Sequence, residues 1–192
     1  MPNRKNKTPQ PGERRVILVR HTAIDAAYNG ICYGRTDVAL SPEGIEAIGP
    51  LAIELAHARP TALFHSDLTR TTALATRLAH ECSQALTADE RLRELDFGDW
   101  EQRSWDDIHT RDKVDIARLI HEPHTFAPPA GETVIDLRNR VLAWYRSLPP
   151  LGTVIAVTHG GPISVLRGTL SNAPVAEWPT LVPPYGSITE LP

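Results

Sequence analysis

Short apolar runs alternate with segments of helical periodicity along most of the chain. Residues 15–19 (RVILV), 61–65 (TALFH) and 153–157 (TVIAV) are rich in apolar and β-branched residues, as strands buried on both faces of a sheet are. The segments between and after these runs repeat apolar residues every three or four positions, which is typical of amphipathic helices. Strands separated by helices of this length predict an α/β sandwich around a mostly parallel sheet.

Several helix boundaries can be predicted from local signals. Ser41 and Pro42 open a helix, because serine caps a helix N-terminus and proline suits its first position. Pro50 lies inside the same apolar pattern and predicts a kink or a split. Ser104 is expected to cap a helix that runs toward Glu122. Further helices are predicted over 68–80, 134–148 and 163–170, and a closing strand over 187–191.

Length and composition indicate one ordinary globular domain. The 192 residues divide into a flexible, polar and basic tail over 1–13 and a single domain over 14–192. A net charge of −3 provides no general attraction for nucleic acid or for a membrane surface, and neither is expected as a partner. The two cysteines are predicted to be free thiols of a cytoplasmic protein. The oligomeric state stays open, a homodimer included.

Two of the predicted strands deliver a histidine in similar sequence contexts. VILVRHT at 16–22 and VIAVTHGG at 154–161 each place a histidine directly after an apolar run. Ligands bind outside the carboxyl ends of strands in open parallel sheets. His21 and His159 therefore face one crevice if their strands are neighbours. The alternative is two unrelated histidines at strand ends.

Two arginines are predicted at the same edge of the sheet. Arg20 directly precedes His21, and Arg70 lies in the first turn of the helix after the second strand. A guanidinium presents a fork of donors that matches phosphate oxygens, and it keeps its charge at any working pH. The alternative for each arginine is a solvated surface charge.

A carboxylate that donates a proton is expected in residues 91–101 (RLRELDFGDWE). Glu94 and Asp96 are both candidates, since aromatic neighbours and a bound phosphate dianion favour a protonated acid. The flanking Asp99 and Glu101 are expected to be solvated.

The order of these motifs resembles the histidine phosphatase superfamily, also called phosphoglycerate-mutase-like. RH, SDLTRTTALA, RELDFGDWE, GET and THGG follow one another over nearly all of residues 15–191. Within that superfamily, the stretches at 20–40 and 94–101 look most like α-ribazole phosphatases of cobalamin assembly. The resemblance implies a three-layer α/β/α sandwich and a reaction that needs neither a metal nor a cofactor.

The resemblance also implies roles for individual residues. It makes His21 the nucleophile, phosphorylated on its far ring nitrogen, and Glu94 the proton donor. Three side chains are expected to surround the phosphoryl group: Arg20, Arg70 and His159. The backbone amide of Gly160 is expected to add a donor at a helix N-terminus.

One position departs from the usual pattern of the family. Thr22 stands where glycine usually follows the nucleophile, so the loop must accommodate a hydroxyl and a Cβ there. Substrate specificity is expected to depend on 22–37 and on 104–132. Glu132 is expected either to accept a hydrogen bond from a ribose-like hydroxyl or to form a surface salt bridge.

The resulting prediction is a metal-independent phosphomonoesterase that acts through a phosphohistidine. Its expected substrate is a small phosphate ester, with α-ribazole 5′-phosphate preferred. Three alternatives stay open: a phosphoglycerate-mutase-type phosphotransferase, a phosphatase of broad specificity, and an anion-binding module without turnover.

Overall fold

A five-stranded sheet lies at the centre of this computed structural model, which describes residues 13–113 and 115–192. Its strands are β1 (Arg14–Arg20), β2 (Ala62–His65), β3 (Leu86–Ala88), β4 (Gly152–Thr158) and β5 (Ile188–Glu190). The spatial order is β3-β2-β4-β1-β5, and only β5 runs antiparallel to its neighbour. The predicted mostly parallel sheet is thus confirmed. The predicted tail, apart from Glu13, lies outside the described residues.

Helices cover both faces of the sheet. They are α1 (Pro42–Glu46), α2 (Ile48–Ala56), α3 (Thr69–Cys82), α4 (Trp105–Arg111), α5 (Arg118–His121), α6 (Val134–Ser147) and α7 (Gly160–Leu170). Along β1, Ile17 and Val19 pack into the core beneath α2 and α3, while Val16 and Leu18 pack into the core beneath α6 and α7. This alternation, which follows from the two-residue period of a strand, produces the three layers that the resemblance implied.

The first predicted helix is split near its proline, as expected. The Oγ of Ser41 accepts a hydrogen bond from the N–H of Gly44 at 3.0 Å, which caps α1. α1 ends at Glu46, and α2 begins at Ile48, with Pro50 in its first turn. Pro50 has no N–H to donate to the Glu46 carbonyl, and its ring crowds that carbonyl. The break therefore lies just before the proline.

The single helix predicted from Ser104 toward Glu122 is wrong. Ser104 does cap α4, but that helix ends at Arg111 and the short α5 follows separately. The backbone of Lys113 lies in the left-handed region, with φ at 52°, which no α-helix continues through. The spacing of apolar residues alone does not indicate that the helix ends here.

The register between β1 and β4 places the two histidines side by side. Arg20 lies opposite Thr158, the last residue of β4, so His21 and His159 both follow at the carboxyl edge. The N–H of His21 also donates to the Thr158 carbonyl at 3.0 Å. β1 lies between β4 and β5, and its apolar side chains are almost fully buried, which holds this edge rigidly.

Both cysteines are free, as predicted. Cys32 is buried, and Cys82 is partly exposed at the end of α3. Burial raises the pKa of the Cys32 thiol to about 12, so that it stays protonated. Within 13–113 and 115–192, none of the helices has the length and apolar character needed to cross a membrane.

Candidate active site

His21 is a buried imidazole with one defined tautomer. His21 is only 1% exposed, and its Nδ1 lies 2.8 Å from the carbonyl oxygen of Thr22. A carbonyl only accepts, so Nδ1 carries the proton and Nε2 keeps its lone pair. Burial, with a smaller contribution from the charge of Arg70, lowers the pKa of His21 to about 3. The imidazole is therefore neutral at any ordinary pH, with the Nε2 lone pair able to accept.

His159 packs against His21 as predicted, with ring centroids 5.2 Å apart at 63°. The Nε of Arg70 donates to Nδ1 of His159 at 3.2 Å, and Nε2 of His159 lies 2.7 Å from Oγ of Ser66. Burial, and then the charge of Arg70, holds the pKa of His159 well below its usual range. His159 is thus neutral and carries its proton on Nε2. Both ring nitrogens contact protein groups, so His159 orients the Arg70 guanidinium instead of contacting the phosphoryl group itself, which was its predicted role.

Arg70 is a fully buried cation, 1% exposed, at the start of α3. Besides His159 it donates to the carbonyls of Thr36 at 2.8 Å and Gly34 at 2.6 Å. A guanidinium has five N–H groups, so these three bonds leave two for another acceptor. The carbonyls come from the 22–40 loop, which therefore fixes the direction of the guanidinium.

The carboxylate of Glu101 holds that loop in place, contrary to the expectation that it is solvated. It accepts hydrogen bonds from the backbone N–H groups of Arg35 at 2.8 Å and Thr36 at 2.7 Å, and from the Thr36 hydroxyl. Gly34 precedes them with φ at 37°, and a Cβ there would lie 2.7 Å from a backbone carbonyl oxygen of Leu95. Asp99, by contrast, is exposed as predicted.

Arg20 reaches the same region from the last position of β1. One terminal nitrogen donates to the carbonyl of Pro183 at 2.6 Å, and its guanidinium carbon lies 4.0 Å from the ring centre of Tyr185. Its Nε is buried and has no hydrogen-bond partner among the described residues. The hydroxyl of Thr22 is likewise buried and has no hydrogen-bond partner among the described residues. Two buried polar groups thus flank His21 in the sequence with nothing from the described chain to bond.

Glu94 is the carboxylate that lies at the site, and Asp96 is not. Oε1 of Glu94 accepts the N–H of Gly161, in the first turn of α7, at 3.1 Å. A Cβ at Gly161 would collide with that oxygen, which explains the second glycine of THGG. Asp96 instead accepts from Arg35 at 2.8 Å and from the N–H of Gly98 at 2.9 Å. The choice between the two acids follows from these contacts.

Gly160 begins α7, as its predicted role requires. A Cβ at this position would lie 2.9 Å from Cγ1 of Val182 and 3.4 Å from the guanidinium carbon of Arg20. The absence of a side chain therefore lets the Arg20 guanidinium lie against the start of the helix. The N-terminus of a helix and a nearby arginine both favour an anion.

Glu132 forms the salt bridge that was one of its two predicted roles. It lies 2.6 Å from Arg140 and 3.2 Å from Arg35, and it accepts the N–H of Asp96 at 3.0 Å. All three contacts go to Oε1, and the Nε of Arg140 donates to Oε2 at 3.1 Å, so both carboxylate oxygens are occupied. Its role is to hold the segment that carries Glu94.

Tyr185 covers His21 and was not predicted. Its ring centre lies 5.3 Å from that of His21, and its hydroxyl lies 3.0 Å from the hydroxyl of Tyr33. The N–H of Gly186 donates to the carbonyls of Arg20 and His21 at 3.2 and 3.0 Å, which ties this segment to the site. An aromatic residue in a proline-rich loop was the only sequence signal. Tyr33 and Tyr185 together bridge the two loops above the nucleophile.

A cavity of about 500 Å³ opens beside these residues. Arg20, Glu94, Gly160 and Gly161 line one end of it. The remainder extends between α4, α5, α6 and α7. Across 13–113 and 115–192, no three His, Cys, Asp or Glu side chains are grouped so as to hold a metal ion.

The buried neutral state of His21 predicts a loss of stability in acid. Its folded pKa of about 3 lies below the ordinary 6.5, so the unfolded chain binds more protons between these values. The free energy of unfolding should then fall with pH below 6.5, by about 1.4 kcal/mol per pH unit for this group. We expect urea unfolding to show a decrease from about pH 7 to about pH 5 that is smaller by about 2 kcal/mol in His21→Asn than in the wild type. An equal decrease in both proteins would contradict a neutral, buried imidazole.

Comparison with known proteins agrees with this geometry. The model of the histidine phosphatase superfamily, branch 1, matches residues 16–192. A glucosyl-3-phosphoglycerate phosphatase of Mycobacterium tuberculosis is 32% identical over 182 residues, which cover 88% of this chain and 80% of the relative. A protein of Proteus mirabilis named probable phosphoglycerate mutase GpmB is 31% identical over 83% of this chain and 75% of its own length.

The fold is shared with solved structures as well. The crystal structure of an α-ribazole phosphatase from Shigella flexneri superposes with a TM-score of 0.77, covering 92% of this chain and 89% of that one at 23% identity. At this identity the likeness concerns the fold alone. Since the family model covers almost the whole described chain, and phosphatases are among the relatives, the function class follows. The chain belongs to the histidine phosphatase superfamily and is a phosphoric monoester hydrolase.

Proposed function

We propose that this chain hydrolyses small phosphate monoesters by moving the phosphoryl group first to Nε2 of His21 and then to water. One observation carries the proposal. The proton of the His21 ring is held on Nδ1 by the Thr22 carbonyl, so the Nε2 lone pair is free. Arg20, which packs on the same Tyr185 ring as His21, has a buried Nε–H without a partner among the described residues. A phosphoryl group supplies both an electrophile for the lone pair and an acceptor for the N–H.

In the first step, Nε2 forms a bond to phosphorus while the bond from phosphorus to the ester oxygen breaks. The negative charge spread over the three remaining oxygens is met by the Nε–H of Arg20 and by the two unused N–H groups of Arg70. The Thr22 hydroxyl and the backbone N–H of Gly160 add neutral donors. These arginines supply the positive charge that metal ions supply in many other phosphoryl-transfer sites.

Glu94 acts first as the general acid and then as the general base. Its protonated carboxyl gives a proton to the departing alcohol in the first step. In the second step a water attacks phosphorus, the bond to Nε2 breaks, and the Glu94 carboxylate takes a proton from that water. Phosphate leaves and the original protonation states return. His159 holds Arg70 in the required direction through both steps.

For the alcohol, we propose α-ribazole as the preferred group. The support is the sequence resemblance at 20–40 and 94–101, where Tyr33 and Glu101 lie. We place the reaction in the cytoplasm, where the free thiols of Cys32 and Cys82 persist.

The test is phosphate release from three esters with EDTA present: α-ribazole 5′-phosphate, glucosyl-3-phosphoglycerate and 3-phosphoglycerate. We expect hydrolysis to continue in EDTA and kcat/KM to be highest for α-ribazole 5′-phosphate. Interconversion of 2- and 3-phosphoglycerate that is faster than phosphate release would show a mutase instead. Binding of these esters without any phosphate release would show an anion-binding module.

A further inference from the structure

The cavity beside the phosphoryl site has a strongly uneven distribution of charge. Arg20 and Glu94 are the only charged residues that line it among those the structure describes, and both also belong to the site around His21 described above. Beyond them the walls are apolar or aromatic side chains, including Leu95, Phe97, Trp105, Ile120, Leu137 and Trp178. One end is therefore suited to an anion and the rest to an apolar group.

The few hydroxyl groups in the apolar part already have partners. The Oγ–H of Ser164 donates to the carbonyl of Trp178, and the Tyr33 hydroxyl pairs with that of Tyr185. In the described chain, four buried polar side-chain atoms have no partner, and of their residues only Arg20 lines this cavity. A second anion, or an alcohol without an apolar group, would thus enter a space with almost no free donors.

We infer that the cavity binds the alcohol part of the substrate and selects esters whose alcohol presents a large apolar, uncharged group, as the two-ring base of α-ribazole does. This inference rests on the proposed function, because the phosphoryl group must lie at His21 for the alcohol to point past Glu94. The cavity and the phosphoryl site share Arg20, Glu94 and Gly160 as a common border, so one ester can extend from the site into the cavity.

The size of the cavity fits such an alcohol. An apolar cavity of about 150 Å³ holds a benzene ring, and this one measures about 500 Å³. It can therefore contain a two-ring aromatic group or an alkyl chain of six to eight carbons. A carboxylate placed there would lose its water without gaining a partner, which is strongly unfavourable. Esters of small hydroxy acids should accordingly be poor substrates.

The experiment uses ethyl, butyl, hexyl and octyl phosphate, whose leaving alcohols are almost equal in acidity. Burial of one methylene corresponds to about a fourfold gain in binding, so kcat/KM should rise on the order of 100-fold from ethyl to hexyl phosphate and then level off. Glycerol 3-phosphate and 3-phosphoglycerate should react no faster than ethyl phosphate. A series that is flat within about threefold, or 3-phosphoglycerate exceeding hexyl phosphate, would overturn the inference.

A matched pair of variants localises the effect. Ile120→Asn places an amide in the cavity wall, whereas Ile53→Asn makes the same change on the exposed side of α2, where Ile53 is 48% exposed. We expect Ile120→Asn to lower kcat/KM for hexyl phosphate about tenfold or more, with ethyl phosphate changed less than about twofold. Ile53→Asn should preserve the whole series. Equal losses for both esters in Ile120→Asn would contradict the assignment of this wall.

The two proposals fail in different ways. If every alkyl phosphate is hydrolysed at the same rate while His21 is still required, the apolar selection is wrong and the phosphatase proposal stands. If none is hydrolysed and His21 makes no difference to any ester, the proposed function itself is wrong.

Discussion

Replacing His21 with asparagine is expected to lower kcat/KM for every hydrolysed ester by about 10⁴-fold to 10⁶-fold, the range for losing a nucleophile. The side-chain amide N–H of asparagine can still donate to the Thr22 carbonyl, as Nδ1 of His21 does. The variant therefore keeps the local hydrogen bond and loses only the Nε2 lone pair. Phosphate release measured with hexyl and p-nitrophenyl phosphate checks the result.

The matched control is His57→Asn. His57 lies at the exposed end of α2, outside the site, and its replacement should change kcat/KM by less than about twofold. Circular dichroism should show both variants folded. A folded His21→Asn protein with more than about a tenth of the wild-type kcat/KM would mean that another group attacks phosphorus.

Replacing Glu94 with glutamine should produce a loss that depends on the leaving group. The glutamine carbonyl can still accept the N–H of Gly161, but the side chain has no proton to transfer to an alkoxide. We expect kcat/KM for hexyl phosphate to fall about 10²-fold to 10⁴-fold. For p-nitrophenyl phosphate, whose leaving group needs little protonation, the loss should be less than about tenfold. kcat/KM is the appropriate quantity, because it reports the first phosphoryl transfer only.

Glu90→Gln supplies the control for this comparison. The Glu90 side chain is 77% exposed, so neither ester should be affected. A Glu94→Gln variant that slows both esters equally would show that Glu94 only supports the structure of the site. In that case the proton donor would have to be another group.

Sequence patterns predicted one shared edge of the sheet for the central residues, and the structure adds that β1 and β4 are neighbours. His21 and His159 follow strands whose apolar runs identify them as buried, and the carboxyl ends of parallel strands share one edge. Arg70 could be placed there too, because it lies in the first turn of a helix that follows another such strand. These positions depend on local structure and on one general rule of sheet architecture.

Other parts of the site depend on contacts that local patterns do not contain. Tyr185 reaches His21 across more than 160 positions of sequence, through a loop without regular structure. Glu101 was expected in solvent because an acid in a polar loop usually is. It is instead surrounded by N–H groups of residues 35 and 36, whose positions depend on the path of the long loop. The cavity likewise depends on how α4, α5, α6 and α7 pack together, which local patterns do not contain.

The proposed mechanism passes through a phosphoryl group on His21, and trapping that intermediate tests the mechanism most directly. Wild-type protein mixed with excess hexyl phosphate is quenched in alkali, in which phosphohistidine is stable, and digested for mass spectrometry. We expect one phosphoryl group per chain, on the peptide that contains His21, and its loss on brief treatment with acid. Phosphate on His159, on Thr22 or on no residue during active hydrolysis would contradict it.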